Sequence, residues 1–287
     1  RALEGNTTAS SNAAVGYKAL LANTTGDNNV AVGRDALVAN TTGNANVALG
    51  FNALVANTTA DDNVSIGSSS MITNTTGAGN TAVGRLALYA NTTGSNSVAV
   101  GIRALDANTT GGGNVALGHD ALGVNIDGSS NVACGYNTMD AHTTGNDNAA
   151  WGAHALGAST TGARNTGIGY AAGSNITTGS NNTCVGYHAA TAAVDSTQSI
   201  TLGNGDITTL RCADTSISTL SDSRDKTNIV DIPLGLTFLN TVRPVSFDWD
   251  TRDGTRVGKK DFGFIAQELL TAGNATDYAD HMRLVSE

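Results

Sequence analysis

Apolar and polar positions recur with one fixed period through the first two hundred residues. Aligned on glycine, a unit reads "NVAVGRDALVANTTGNA", with Asn, an aliphatic–Ala–aliphatic triplet, Gly, and then Ala-Leu. The glycine stands at Gly16, Gly33, Gly50, Gly67, Gly84, Gly101, Gly118, Gly135, Gly152, Gly169, Gly186 and Gly203, 17 residues apart without an insertion. Asn lies four residues before it in most units, from Asn12 to Asn182, and Ser97 and Ser199 replace it in two. An unbroken period of this kind marks a solenoid. The Val-Ala-Val alternation predicts a short strand, with two side chains such as Val30 and Val32 inward and a small one between them. "NTTG" and the repeat glycine supply corners, because Asn and Gly tolerate tight-turn backbone. The unit is too short for a pair of helices, and its Thr, Asn and Gly content disfavours helix. Each unit therefore reads as one coil of a β-roll or β-helix. Twelve coils ~4.8 Å apart would give a rod on the order of 58 Å long.

A rod this thin buries little per chain, with two Val-class residues and a Leu in each coil, such as Val30, Val32 and Leu37. Several chains sharing one axis would enlarge the core, with the Ala-Leu position facing neighbouring chains. A homotrimer is the expectation, and a monomeric β-helix is the alternative.

Composition agrees with the pattern. Charged residues make up 14% of the 287 and aromatics 5%, too little for an ordinary core of this length. The chain is also too regular, and too poor in charge and Pro, for disorder. A formal net charge of −9 without a basic cluster argues against a nucleic-acid partner. No apolar run approaches the ~18 residues of a membrane span. The chain starts at Arg1 with no signal peptide, so its true N-terminus is expected upstream.

Candidate chemistry inside the repeat is sparse. Cys134, Cys184 and Cys212 are an odd number without metal-type spacing. Cys134 and Cys184 stand where other units have Val or Ala, and read as buried small hydrophobes. His119, His142, His154 and His188 fall at differing repeat positions and suggest no ligand set, so neither a metal nor a cofactor is expected. "NTT" matches a glycosylation sequon but recurs as a corner. Only one of its threonines per coil can join a flat ladder, which argues against an ice-binding face. "GIGYAAG" at 167–173 keeps the repeat phase and is no dinucleotide fingerprint.

After Gly203 the phase is lost. Residues 204–220 read as an extended connector between a shaft at 1–203 and a second domain at 221–287. Both prolines, Trp249, Phe238, Phe247, Phe262 and Phe264 fall in that last part, so the expected fold class is a mainly β solenoid shaft followed by a small α+β domain. "GLTFLNTV" (235–242) reads as a helix, "VSFDWD" as a strand, "GTRVGKKD" as a turn, "FGFIA" as a second strand and "QELL" as the start of a helix. At the junction, "TLSDSRDKTNIV" crowds Asp222, Arg224, Asp225 and Lys226 into five positions. Taken alone, that cluster is a charged helix cap.

Three blocks in order, "LSDSRDKTNI" (220–229), "LNTVRPVSFDWD" (239–250) and "FGFIAQELL" (262–270), resemble the endosialidase-type intramolecular chaperone found at the C-terminus of many phage tail fibres and tailspikes. The resemblance covers about 221–287. It implies a trimerising chaperone that assembles the β-structured fibre before it and then releases itself. It makes Ser221 the catalytic serine, Lys226 its partner and Leu220–Ser221 the scissile bond. Asp222 and Arg224 match the other fixed motif positions and would hold the geometry; Gln267 and Glu268 would support the site or the trimer interface. The chemistry is coherent, because a lysine serves as a base only where burial or neighbouring cations depress its pKa. Family members usually continue into long C-terminal helices, whereas this chain stops at "HMRLVSE". The repeats, over residues 6–203, also resemble the β-roll heads of trimeric autotransporter adhesins, whose unit is shorter.

The expected function is therefore a phage tail fibre located in the virion. Its expected partners are its own copies, other virion tail proteins and a host cell-surface receptor or glycan. The alternative is a bacterial surface adhesin with a β-roll head and a non-cleaving trimerisation domain.

Overall fold

In the computed structural model, residues 1–209, 242–248, 260–265, 268 and 271 are described. The chain divides into two compact units, Arg1–Arg211 and Cys212–Glu287.

The first unit is a parallel β-solenoid of about eleven turns. Each 17-residue unit contributes one three-residue strand, from β1 (Ala13–Val15) through β6 (Val98–Val100) and β7 (Val115–Leu117) to β12 (Ile200–Leu202). All twelve lie in sequence order in one parallel sheet. Pairing is in exact repeat register, Val98 against Val115 and Val100 against Leu117. Left-handed corners turn the chain between strands. In the coil around β6, Asn96, Arg103 and Leu105 take φ of 59°, 56° and 53°. The glycine after each strand, from Gly16 to Gly186, has φ between 122° and 142°, a region in practice closed to residues with a Cβ.

The interior reverses the expected orientation of the strand. The middle residue points inward: Ala31, Ala48, Ala82, Ala99, Ala116 and Ala133 are all fully buried. The flanking valines point out, with Val30 and Val100 among the exposed apolar residues. The Ala-Leu pair, expected to face other chains, is instead buried in its own coil, as at Ala36 and Leu37. The cause is space. A coil of 17 residues encloses room for one Leu column, and only an Ala-sized side chain fits opposite it. Each buried Leu contributes about 2 kcal/mol, and the column from Leu20 to Leu156 forms the spine of the core.

Local exceptions obey the same space limit. Where Ser65 replaces the strand Ala, Ser70 replaces the Ala of Ala-Leu, and the two buried hydroxyls bond each other at 2.5 Å. Where Gly173 stands in the Leu column, Ile176 moves its methyl end into the vacated volume. The cysteines divide between the two faces: Cys184 is buried inside, whereas Cys134 is half-buried in the outward column. Cys212 lies outside the described residues.

Two amide ladders fill the rest of the interior. Asn40 Nδ2 donates to Asn23 Oδ1 at 2.8 Å and to the Gly43 carbonyl at 2.9 Å, and Asn57, Asn74, Asn91, Asn108 and Asn125 repeat this. In the second ladder Asn29 Nδ2 donates to the Gly43 carbonyl, and Asn29 N–H donates to Asn12 Oδ1. A buried amide is stable only when both ends are paired, and stacking at 17-residue spacing pairs them. Thr24 Oγ1 donates to the Thr41 carbonyl at 3.0 Å, and the first threonine of most corners ties one coil to the next in the same way.

The first ladder breaks at His142. Its ring Nε2 donates to the Gly145 carbonyl at 2.9 Å and its Nδ1 lies 3.5 Å from Ser159 Oγ. Nothing then reaches Asn125 Oδ1, a buried acceptor without a partner. Burial pushes the His142 pKa below its ordinary 6.5, against the opposing pull of the Gly145 carbonyl. A histidine kept neutral in the fold gives its full stability above that ordinary value, and the unfolded chain gains protons first as the pH falls below it. His142→Asn is expected to restore the missing rung, raise stability by about 1 kcal/mol at neutral pH, and widen that margin at pH 5. Paired thermal melts of the two proteins check both effects; equal melts at both pH values would contradict the ladder account.

In the second unit, β13 (Pro244–Asp248) and β14 (Lys260–Phe264) form an antiparallel pair with Pro244 opposite Phe264. These strands fall on the "VSFDWD" and "FGFIA" segments. Glu268 and Thr271 are helical, in agreement with the helix expected at "QELL". The helix expected at 235–242 lies outside the described residues, except for Val242.

Candidate functional site

Leu220, Ser221, Asp222, Arg224, Lys226 and Gln267 lie outside the described residues. Of the sites expected from the chaperone resemblance, Glu268 alone is described. Its partner was not anticipated from the sequence. Arg243 immediately precedes β13, and Glu268 follows β14. The hairpin register sets Pro244 beside Phe264, which brings the flanking residues together. Arg243 Nε donates to Glu268 Oε2 at 3.1 Å and its Nη2 to Oε1 at 2.5 Å, a two-pronged fork. Hydrogen bonding to the guanidinium, and then its charge, hold the Glu268 carboxyl below the usual range; the same pair raises Arg243. Both side chains are well exposed, so the pair contributes little to stability. What it fixes is position, since a planar fork sets the approach of the segment after β14 to the start of β13. The usable signal in the sequence was one basic and one acidic residue flanking two segments expected to pair.

The solenoid carries a second candidate surface, the outward face of its sheet. The first strand position runs Val30, Val47, Val64, Thr81, Val98, Val115 and Val132; the third runs Val32, Leu49, Ile66, Val83, Val100 and Leu117, and then Cys134 and Trp151. Neither column contains a charged residue in any of its twelve strands. Val15, Leu49, Val100, Trp151, Ile168 and Leu202 are among the exposed large apolar residues. The columns run unbroken along twelve strands at ~4.8 Å spacing. Exposed apolar side chains aligned along one face in this way mark an interaction surface. It can exclude water only against a surface with the same long, flat, repetitive shape. Among the described residues, no helix is long and apolar enough to cross a membrane.

Comparison with known proteins bears on the C-terminal part. Residues 221–280 match the family described as chaperone of endosialidase, which is named as a peptidase family. The match begins at Ser221, the first residue after the connector. No curated protein matches the chain, and no solved structure does.

Proposed function

We propose that the chain is the shaft of a trimeric attachment fibre, of the phage tail-fibre or tailspike kind, joined to an intramolecular chaperone that assembles it and then cuts itself away. The observation that carries this reading is the chaperone-family match starting at Ser221, directly downstream of a solenoid with an uncovered, charge-free sheet face. Three copies packed about one axis through their valine columns would cover that face. This replaces the Ala-Leu contact expected from sequence, since those residues are buried within one coil.

In the cleavage step, Ser221 Oγ gives its proton to the neutral amine of Lys226 and attacks the Leu220 carbonyl. The protonated Lys226 returns that proton to the Ser221 nitrogen as the Leu220–Ser221 amide bond breaks, and the acyl group sits on the serine oxygen as an ester. Water then hydrolyses the ester, leaving a carboxylate on Leu220 and a free amine on Ser221. A solvated Lys226 is protonated at neutral pH and inert. Burial of Lys226 on assembly would depress its pKa and make cleavage report a completed trimer. Asp222 and Arg224 would hold the motif's geometry, Gln267 would support it, and Glu268 would do so through its fork with Arg243.

Intact masses of wild type and Ser221→Ala under denaturing conditions test the reading. Wild type is expected to split between Leu220 and Ser221, and the variant to stay whole. If both stay whole and native mass gives trimers, the C-terminal domain is a permanent trimerisation module, as in the surface-adhesin alternative, and the self-cleavage claim fails. Monomers in native mass would defeat both.

A further inference from the structure

Next to the valine columns, the positions one and two residues after the repeat glycine form an edge of planar rings. His119, Tyr136, His154, Tyr170 and Tyr187 follow one another over five coils. Ring centroids are separated by 5.5 Å, 5.6 Å, 5.8 Å and 5.6 Å along that order. These are not core rings, since Tyr136, Tyr170 and Tyr187 are 53%, 47% and 63% exposed. At its N-terminal end the ribbon meets a pit of about 420 Å³, lined by Arg103, Asp106, Asp120, Gly123, Asn137 and Asp140 among others. The pit exists because Gly123 stands in a column that carries Asp106 one coil earlier and Asp140 one coil later. Ribbon and pit are neighbours at His119, whose Nδ1 lies 2.9 Å from Asp120 Oδ2.

The polar groups in the pit are unevenly matched. Arg103 spends its charge on Asp120 through a two-pronged fork. The Asp106 and Asp140 carboxylates are left without an ion-pair partner among the described residues. The pit is thus rich in acceptors and carries surplus negative charge, so an anionic ligand is repelled and a ligand with many hydroxyl donors is favoured. The rings stack or meet edge to face along the rod, so the ribbon offers a periodic row of half-exposed aromatic edges to a ligand that is itself periodic and apolar on its faces.

We propose that the ribbon and the pit together bind a neutral oligosaccharide. Its sugar rings pack along the exposed edges of Tyr136, Tyr170 and Tyr187, and a terminal sugar donates hydroxyl protons to Asp106 and Asp140. This deepens the attachment-fibre reading and rests on it, by naming the surface that would meet a cell-surface glycan and the class of glycan it would take.

Saturation-transfer NMR on the whole chain tests the proposal, with linear neutral oligosaccharides of glucose, mannose, galactose and N-acetylglucosamine as probes and a uronic-acid oligosaccharide as the anionic comparison. At least one neutral probe is expected to bind and the anionic one is not. Tyr136→Ala/Tyr170→Ala is expected to weaken binding by roughly tenfold or more. Asp140→Ala, which leaves the rings in place, is expected to weaken it as well. Native mass of each protein accompanies the titration. The proposal is overturned if no neutral probe binds, if the anionic one binds equally, or if binding survives loss of the rings. It is also overturned if the ring variant alone loses its assembly, because the ribbon is then a contact between copies. A wild type that is monomeric yet binds sugar would sink the fibre reading and leave the sugar site standing.

Discussion

Gly101→Ala is expected to break the stack of coils in the middle of the shaft. Gly101 has φ of 141°, and a Cβ built on it would lie 2.3 Å from the Gly118 carbonyl oxygen and 2.6 Å from the carbonyl carbon of the next coil. Neither atom can retreat cheaply, because Gly118 N–H is itself bonded to the Val100 carbonyl at 2.8 Å. Backbone strain and overpacking together cost on the order of 4 kcal/mol, a large part of the stability of a typical domain. In a solenoid each coil touches only its neighbours, so the loss is local. Hydrogen exchange is expected to accelerate around β6 and β7 while the end coils keep their protection. Gly113 supplies the contrast. Its φ is 69°, the nearest atom to its would-be Cβ is Ser130 Oγ at 3.7 Å, and Asn28, Asn96 and Asn181 occupy the same column at φ of 59–60°. Gly113→Asn is expected to melt within about 0.5 kcal/mol of wild type or slightly above it. If the two variants were equally damaged, corner geometry would not be what the repeat glycine supplies.

Val98→Asp/Val115→Asp is expected to leave the coil intact and abolish assembly. Both residues lie in the outward column on adjacent strands, β6 and β7, and both are only partly buried in the single chain. There, a carboxylate can keep its water, at the small cost of poorer strand propensity. In a trimer packed through this face, two carboxylates from each chain would be desolvated without partners, at several kcal/mol each. Native mass should show monomers while the far-UV circular dichroism stays that of wild type. Trimers that survive the substitution would place the contact elsewhere.

The coil was legible in the sequence because its period and its corner chemistry are local. The orientation of the strand was not, and the error is instructive. A Val-Ala-Val triplet fits either phase, and the reading that buries the larger side chains assumes a core wide enough to take them. The better signal was tolerance of size. Through the repeats, the middle position holds Ala, Ser, Gly or Cys at Ala48, Ser65, Gly167 and Cys184, and becomes Thr only at Thr201 in the last strand; the third position ranges from Cys134 to Trp151. A column confined to small residues is the tightly packed one. The asparagines were placed correctly at corners, but their buried ladder was not, because it forms only between coils. His142 then becomes intelligible as a missing rung. In the C-terminal unit the two strands were legible from alternation, whereas the Arg243–Glu268 fork depends on a register that only the folded hairpin fixes. The proposed roles of Ser221 and Lys226 rest on sequence resemblance and the family match.

The two solenoid cysteines offer the most direct test of what covers the valine columns. Cys184 is buried inside the coil, and burial pushes its thiol pKa up, so it should resist alkylation in any assembly state. Cys134 stands half-buried in the outward column of β8 (Val132–Cys134). Native protein would be treated with iodoacetamide and each cysteine peptide weighed. If copies of the chain pack through this face, Cys134 should be as protected as Cys184 in wild type and become reactive in Val98→Asp/Val115→Asp. Rapid alkylation of Cys134 in native wild type, with Cys184 still protected, would contradict the account.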